Sequence, residues 1–161
     1  MIILGLDPGS RVTGWGVITR VGQDWRALGC GAVRLAATDD HAVRIGRLHE
    51  AISRVIGEFH PEACALESSF MSENAMSALK LGQIRGALML TAGLSGLPVH
   101  EYAPRLIKQA LSGYGGAEKS QVAKMVRLQL GMREIPVPAD AADALAIAFT
   151  HAMASRLAGR L

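Results

Sequence analysis

Residues 140–149 read Asp-Ala-Ala-Asp-Ala-Leu-Ala-Ile-Ala-Phe. Asp140 and Asp143 stand three residues apart at the start of an alanine-rich apolar run, so on a helix both acids lie on one face. Carboxylates held close together raise each other's pKa, and a divalent metal ion is one way to compensate them. The alternative is capping, because Asp is a preferred N-cap and a second acid in the first turn favours the helix dipole.

The length and composition indicate one domain, residues 1–161, with a substantial buried core. Hydrophobic residues make up 50% of the chain and aromatic residues only 4%, so Ala, Leu, Ile and Val must build most of that core. The formal net charge is +3 and the isoelectric point is about 9.2. This mildly basic balance permits a polyanionic partner without identifying one.

The cysteines and the apolar tracts indicate the compartment. Cys30 and Cys64 stand in separate apolar stretches without a CxxC pattern, and the histidines lack zinc-binding spacing. Both cysteines are therefore predicted to be small buried side chains in a reducing compartment. The N-terminus reaches Asp7 too early for a signal peptide, and the apolar tract Gly86–Val99 is shorter than the roughly 20 residues that span a bilayer. We expect a cytoplasmic protein with no membrane contact.

Apolar alternation and short glycine-containing connections predict five strands. They are Ile2–Leu6, Thr13–Val21, Trp25–Leu35, Ala63–Glu67 and Pro98–Tyr102. Apolar residues at three- and four-residue spacing, together with capping residues and breakers, predict the helices. These lie between Asp40 and Pro61, over 74–94, from Pro104 to Gly113, over Glu118–Leu130 and from Asp140 onward. Three strands followed by alternating helix and strand predict an α/β fold, a mixed five-stranded sheet with helices on both faces.

Two further acids end predicted strands, Asp7 the first strand and Glu67 the fourth. If these strands are neighbours, both carboxylates arrive at one edge of the sheet, where the start of the Asp140 helix can dock over them. Taken singly, Asp7 before Pro8 could start a turn, and Glu67 could be a solvated strand end. Oxygen ligands without His or Cys favour Mg²⁺ or Mn²⁺, and a carboxylate cluster of this kind suits a two-metal phosphodiester site.

Several sequence blocks carry a resemblance to a known family. They are LGLDPGSRVTGWG at 4–16, LESSF at 66–70, residues 74–86, AEKSQV at 117–122 and ADAADALA at 139–146. In this order they resemble RuvC, the bacterial Holliday-junction resolvase family, over nearly the whole chain. The resemblance implies a single RNase H-like nuclease domain and a homodimer. It also implies an Mg²⁺-dependent endodeoxyribonuclease that resolves four-way DNA junctions by paired symmetric nicks in homologous recombination and DNA repair.

The resemblance also implies a ligand set and partners. The family's four acidic positions fall on Asp7, Glu67, Asp140 and Asp143, which would hold two Mg²⁺ per subunit, with Mn²⁺ able to substitute. Some relatives carry His at the position of Asp140. The implied products are 5′-phosphate and 3′-hydroxyl ends, and the implied partners are the junction DNA and the branch-migration complex RuvA–RuvB.

Three other residues fall on positions that this family uses on DNA. Lys108 and Lys119 match lysines near the scissile phosphate, where the plain alternative is a solvated helix face. Lys119 is also expected to take part in catalysis. Phe70 follows Glu67 and is either a wedge that stacks on a base at the junction centre or a side chain that covers the core. A basic neighbourhood without individual roles is completed by Arg105, Lys124 and Arg127.

Small residues recur at Ala78, Gly82 and Gly86 on the predicted helix 74–94. They permit close approach of another backbone, either from the helix's own sheet or from a second subunit. The resemblance favours a dimer contact at or near this helix.

Two other classes of function have features in common with this sequence. Asp7-x-Gly9-Ser10 followed by Gly14-x-Gly16 is similar to the first phosphate-binding hairpin of actin-like ATPases and sugar kinases. Those proteins need a second related domain, for which this chain is too short, and a nucleotide-binding assay distinguishes the two. A junction-binding protein without catalysis would need an incomplete acid set, which the sequence does not show.

Overall fold

The computed structural model describes residues 1–68, 74–157 and 159. In this part of the chain the strands are β1 (Ile2–Asp7), β2 (Val12–Val21), β3 (Asp24–Arg34), β4 (Ala63–Glu67) and β5 (Val99–Tyr102). The helices are α1 (His41–Phe59), α2 (Ala75–Leu94), α3 (Pro104–Ser112), α4 (Lys119–Gln129) and α5 (Ala139–Leu157). Each predicted element is present, and its ends differ by at most a residue or two from the sequence prediction.

The strands form one mixed sheet in the order β3-β2-β1-β4-β5. The first three strands are an antiparallel meander, and β4 and β5 run parallel to β1. The adjacency of β1 and β4, on which the predicted site depends, is therefore confirmed. Their register pairs Leu6 with Leu66, so the next residues, Asp7 and Glu67, end neighbouring strands side by side.

Helices cover both faces of the sheet, as predicted. Alternate side chains of each strand point to opposite faces, so Ile3 and Ala65 join a core with α3, α4 and α5. Leu4 and Leu66 join a second core with α1 and α2. The sheet therefore separates two apolar cores, and Asp7 and Glu67 share the alternation of Ile3 and Ala65, which points toward α5.

Local signals explain the helix ends. The predicted spacing buries Leu48 and Ile52 of α1, which ends as His60 takes a left-handed conformation (φ 48°) ahead of Pro61. Asn74 caps α2, because its side-chain oxygen accepts a hydrogen bond from the Ser77 amide at 2.9 Å.

The other structural expectations concern the membrane and the cysteines. Among the helices of the described residues, none has the length and apolar character needed to cross a bilayer. Cys64 is buried and Cys30 half-buried, and both are free thiols.

Candidate active site

Helix α5 lies directly on the backbone of β1 and β2. A Cβ atom added to Gly14 would stand 2.0 Å from the carbonyl oxygen of Asp140, and one added to Gly5 would stand 2.1 Å from that of Ala144. At Gly16 it would lie 2.8 Å from the Leu145 amide nitrogen. Only glycine leaves room for such an approach. These residues therefore set how closely the acid-bearing end of α5 approaches the end of β1.

This docking creates a cleft of about 280 Å³ lined by acids from three elements and by two lysines. Asp7 comes from β1, Glu67 from β4 and Asp143 from α5, while Lys108 of α3 and Lys119 of α4 supply positive charge. The remaining wall is formed by Pro104, Ile107, Val122 and Ala146. The structure thus brings together three of the four predicted acids and both predicted lysines.

The fourth acid, Asp140, lies at the margin of this cleft rather than among its lining residues. It is close enough for its charge to raise the pKa of Asp7. Helix α5 begins at Ala139, and the Ala141 amide donates to the Pro138 carbonyl at 3.0 Å, so Asp140 lies in the first turn. The capping interpretation expected Asp140 at the N-cap position, whereas the structure places it inside the first turn of the helix. Asp143 lies one turn further along and accepts a hydrogen bond from Lys119 instead of capping the helix.

The electrostatics of the cleft are those of acids without enough counter-charge. Burial raises the pKa of Asp7 to about 7, and the charges of Glu67, Asp143 and Asp140 act in the same direction, with Lys119 opposing them. Burial, followed by the charge of Asp143, also raises the pKa of Glu67. The pKa of Lys119 is raised by its hydrogen bond to Asp143, with 3.0 Å between Nζ and Oδ2. The nearby cations thus offset only part of the negative charge.

The donor set fits a hard divalent cation. All the acidic donors are carboxylate oxygens, and the charges of three neighbouring acids add to burial in raising the pKa of Asp7. Among the described residues, no three or more His, Cys, Asp or Glu side chains form a group that could hold a metal ion. Mg²⁺ rarely needs one, because it keeps several waters and is usually held by one or two carboxylates together with substrate phosphates. The open cleft therefore fits such an ion.

Sequence reasoning missed the residues behind the cleft. Arg85 of α2 is only 8% exposed and forms an ion pair with Glu101 of β5. Its charge lowers the pKa of Glu67, although less than burial raises it. Arg85 and Glu101 are isolated charged residues in a helix and a short strand, and no sequence pattern indicates that they form a pair. The glycines did carry a sequence signal for the docking of α5. Gly14 and Gly16 alternate along β2, so they lie on one face of the sheet, and Gly5 of β1 lies on the same face.

The other predicted residues lie elsewhere. Phe70 falls outside the described residues. Arg105 borders a separate hollow with Gln109 and Tyr114, and the lining of the acidic cleft includes neither Lys124 nor Arg127. The glycines cited for the phosphate-hairpin alternative, Gly14 and Gly16, have a packing role under α5 instead.

Comparison with known proteins gives one consistent answer. A crossover junction endodeoxyribonuclease RuvC of Chlorobium phaeovibrioides is 48% identical over 149 residues, which cover 92% of this chain and 79% of the relative. The Thermus thermophilus RuvC structure superposes with a TM-score of 0.91 at 40% identity, covering 98% of this chain and 97% of the other. A T. thermophilus RuvC in complex with Holliday junction substrate gives 0.89 at 38% identity, covering 98% and 96%.

These matches extend through every element of the sheet and confirm the expected RNase H-like arrangement. The sequence model of the family described as crossover junction endodeoxyribonuclease RuvC matches residues 3–151, a span that begins on β1 ahead of Asp7 and ends on α5 beyond Asp143. The chain therefore belongs to the RuvC family of crossover junction endodeoxyribonucleases.

Proposed function

We propose that this chain resolves four-way DNA junctions, in homologous recombination and DNA repair, by two symmetric nicks in strands of like polarity. The observation that carries the proposal is the cleft in which acids of β1, β4 and α5 meet two lysines. Membership of the RuvC family and the relative that was solved with a Holliday junction substrate support it. The products would be ligatable 5′-phosphate and 3′-hydroxyl ends, and the working unit would be the one domain 1–161.

Asp7, Glu67 and Asp143, with Asp140 at the margin, would hold two Mg²⁺ per subunit, and Mn²⁺ would substitute. Bound metal ions of this kind activate a water nucleophile and stabilise the leaving 3′ oxygen. The proposed ligands come from three separate elements, so their mutual positions depend on the docking of α5 on the glycines of β1 and β2.

The two lysines would act on the scissile phosphate. The side chain of Lys119 is 83% exposed, but its ammonium is held toward the cleft by Asp143. Lys108, on α3, lines the same cleft. A positioned ammonium binds a phosphate oxygen and offsets negative charge that develops during phosphodiester cleavage. We therefore assign Lys119 to catalysis and substrate binding, and Lys108 to substrate binding.

A homodimer is required by the substrate, because one cleft cuts one strand at a time and the junction has near two-fold symmetry. Helix α2 offers a surface for it. Gly82 and Gly86 have open space around them, and Leu79 and Leu90 on the same helix are 57% and 62% exposed. Exposed apolar patches of this kind mark interaction sites. We infer that two subunits meet along α2, and that Phe70, in the chain segment before α2, acts on the opened junction centre.

Partners and location follow from the family resemblance alone. We expect the dimer to act in the cytoplasm beside the branch-migration complex RuvA–RuvB, which would deliver the junction.

A synthetic four-way junction tests the proposal directly. With Mg²⁺, the protein should nick two opposing strands of the junction and leave a linear duplex of the same sequence intact. Asp7→Asn should stop cutting while junction binding persists, because it removes a metal ligand and leaves both lysines in place. Asp24→Asn is the matched control, since Asp24 is an exposed carboxylate on β3, away from the cleft. Nicking that continues in excess EDTA, or equal cutting of the duplex, would overturn the proposal.

A further inference from the structure

A buried polar cluster joins β5 to α5 outside the acidic cleft. His151 of α5 is 4% exposed, and its Nδ1 atom lies 2.7 Å from the Tyr102 hydroxyl of β5. Its Nε2 atom lies 3.3 Å from the Ser155 hydroxyl, so both ring nitrogens have a partner. The His100 ring of β5 stacks on the imidazole with 4.3 Å between centroids. A fully satisfied buried network of this kind fixes the relative position of the elements that it joins.

The position of this cluster connects it to the cleft. Tyr102 is the register partner of Glu67, so the two residues end neighbouring parallel strands at the same edge of the sheet. The Tyr102 carbonyl also accepts a hydrogen bond of 2.9 Å from Ser68, the residue after Glu67. His151 lies about two turns beyond Asp143 on α5. The Tyr102–His151 bond therefore connects the strand end beside Glu67 to the helix that carries Asp143.

The protonation states agree with a hydrogen bond between neutral groups. Burial lowers the pKa of His151 to about 4, with a further contribution from His100, so the imidazole is neutral near pH 7. Burial raises the pKa of Tyr102, so its phenol keeps its proton. A neutral imidazole has one donor and one acceptor nitrogen, and the hydroxyls of Tyr102 and Ser155 can satisfy either tautomer.

This side of α5 differs from the side that faces β1 and β2. Against β1 and β2 the helix touches glycine backbone and cannot approach further. At β5, an edge strand of the sheet, the described contacts include the hydrogen bond and the ring stacking of Tyr102, His100 and His151. A single substitution can therefore remove the side-chain bridge that joins α5 to the strand end beside Glu67.

We propose that Tyr102 and His151 are positioning residues for the metal site: their hydrogen bond holds α5 and the β4–β5 strand ends at the separation that keeps Glu67 and Asp143 together in the acidic cleft. The inference rests on the proposed function, and it adds two residues to which the acidic cleft itself assigns no role.

The test uses the full-length protein, a four-way junction and a titration of Mg²⁺. Tyr102→Phe keeps the ring and removes only the hydroxyl. It should raise the Mg²⁺ concentration for half-maximal nicking by roughly tenfold, the usual effect of losing a residue that supports a metal ligand. Junction binding in Ca²⁺ should stay unchanged. His151→Phe should act in the same way, and the double variant should be no worse than either single one, because all three lack the same bond.

Thr91→Val is the matched control, since Thr91 is a buried residue of α2 whose hydroxyl donates to the Ala87 carbonyl at 2.8 Å. It removes the hydrogen bonds that the Thr91 hydroxyl makes with Ala87 and with His49, both away from the cleft, and should leave the Mg²⁺ titration unaltered. A Tyr102→Phe titration that coincides with that of Thr91→Val would overturn the inference, and Tyr102→Phe alone decides if His151→Phe does not fold. A wild-type protein that fails to nick would instead overturn the proposed function on which the inference rests.

Discussion

The two faces of the sheet are packed in different ways. Toward α5, strands β1 and β2 present Gly5, Gly14 and Gly16, and the helix backbone rests on strand backbone. Toward α1 and α2, the same strands present Leu4 and Val17, which interdigitate with helix side chains. Backbone contact fixes the separation of two elements, whereas side chains repack when one of them changes. The face that must hold carboxylates in register is therefore the face built from glycine.

The outer surfaces differ as well. The helices on the acidic face place polar side chains around the cleft, including Lys108 and Lys119. On the other face, α2 exposes a row of apolar and small residues that includes Leu79, Gly86 and Leu90. One face thus has the features of a chemical site and the other those of an assembly surface, and each assignment can be tested by a substitution that affects one face alone.

The largest effect is expected when two substitutions on β2 are compared, one on each face of the sheet. Gly14→Ala adds a Cβ atom at 2.0 Å from the Asp140 carbonyl, so α5 must shift and carry Asp140 and Asp143 away from Asp7. Nicking should fall by up to about a hundredfold, the stronger end of the losses seen when the groups that support metal ligands are changed. Val17→Ala, on the α1–α2 face, should cost about 1–3 kcal/mol of stability and retain nicking. Chemical denaturation and single-turnover rates distinguish the two, and equal loss of nicking would contradict the comparison.

The next effect concerns assembly. Leu90→Glu places a charge in the apolar row on α2, where Leu90 is 62% exposed, so it should weaken the dimer without touching the sheet. Light scattering should report monomers at concentrations at which the wild type is dimeric, and paired nicking should become single nicking. Leu28→Glu on β3 is the control, since Leu28 is also exposed, at 45%, but lies away from α2. A dimer that survives Leu90→Glu would place the interface on another surface.

A smaller effect is expected within the cleft. Lys119→Ala should slow nicking by roughly tenfold while junction binding changes little, if its ammonium acts on the scissile phosphate. Lys124→Ala on the same helix is the control, because Lys124 is exposed and does not line the cleft. Binding measured across a salt series completes the experiment. If Lys119 is a general phosphate contact instead, its loss should weaken binding and reduce the salt dependence by about one charge.

The sequence was sufficient for those parts of the molecule that depend on local pattern. The β4 strand was predicted with its observed bounds, Ala63–Glu67, because an apolar run ends there on an acid. The Asn74 cap was predicted from its residue type and confirmed. Bringing Asp7 and Glu67 together required only that their strands be neighbours, since the ends of parallel neighbours share one edge. In each case the physical cause lies within a few residues or in one adjacency.

The remainder depends on contacts between residues far apart in the chain. The Arg85–Glu101 pair and the Tyr102–His151 bond each join two elements whose approach is known only once the sheet is assembled. The marginal position of Asp140 depends on how closely α5 docks, which the three glycines determine together. The cis peptide bond between Val137 and Pro138, just before α5, likewise carries no sequence signal beyond the proline. Residue types predicted which groups form the site, and tertiary packing determined their distances.

The last prediction concerns the metal-free protein and separates stability from activity at Asp7. The folded-state pKa of Asp7 is about 7, against 3.8 for the unperturbed group, so between these pH values the folded protein holds a proton that the unfolded chain has released. Stability should therefore fall as the pH rises through this window and level off above pH 7. Asp7→Asn carries no charge at any pH, so it should be more stable than the wild type at pH 8, and this advantage should shrink toward pH 5. At about 1.4 kcal/mol per pKa unit, the full difference in the free energy of unfolding is on the order of 2–4 kcal/mol.

Added Mg²⁺ should stabilise the wild type and leave the Asp7→Asn variant nearly unchanged, because only the wild type keeps the central carboxylate. Thermal melts at pH 5 and pH 8, with and without Mg²⁺, measure the stability difference between the two proteins and the stabilisation by the metal. Asp24→Asn controls for the loss of one negative charge. A wild type that gains stability from pH 5 to pH 8 relative to Asp7→Asn would show that the Asp7 carboxylate is already compensated by Lys119 in the absence of metal.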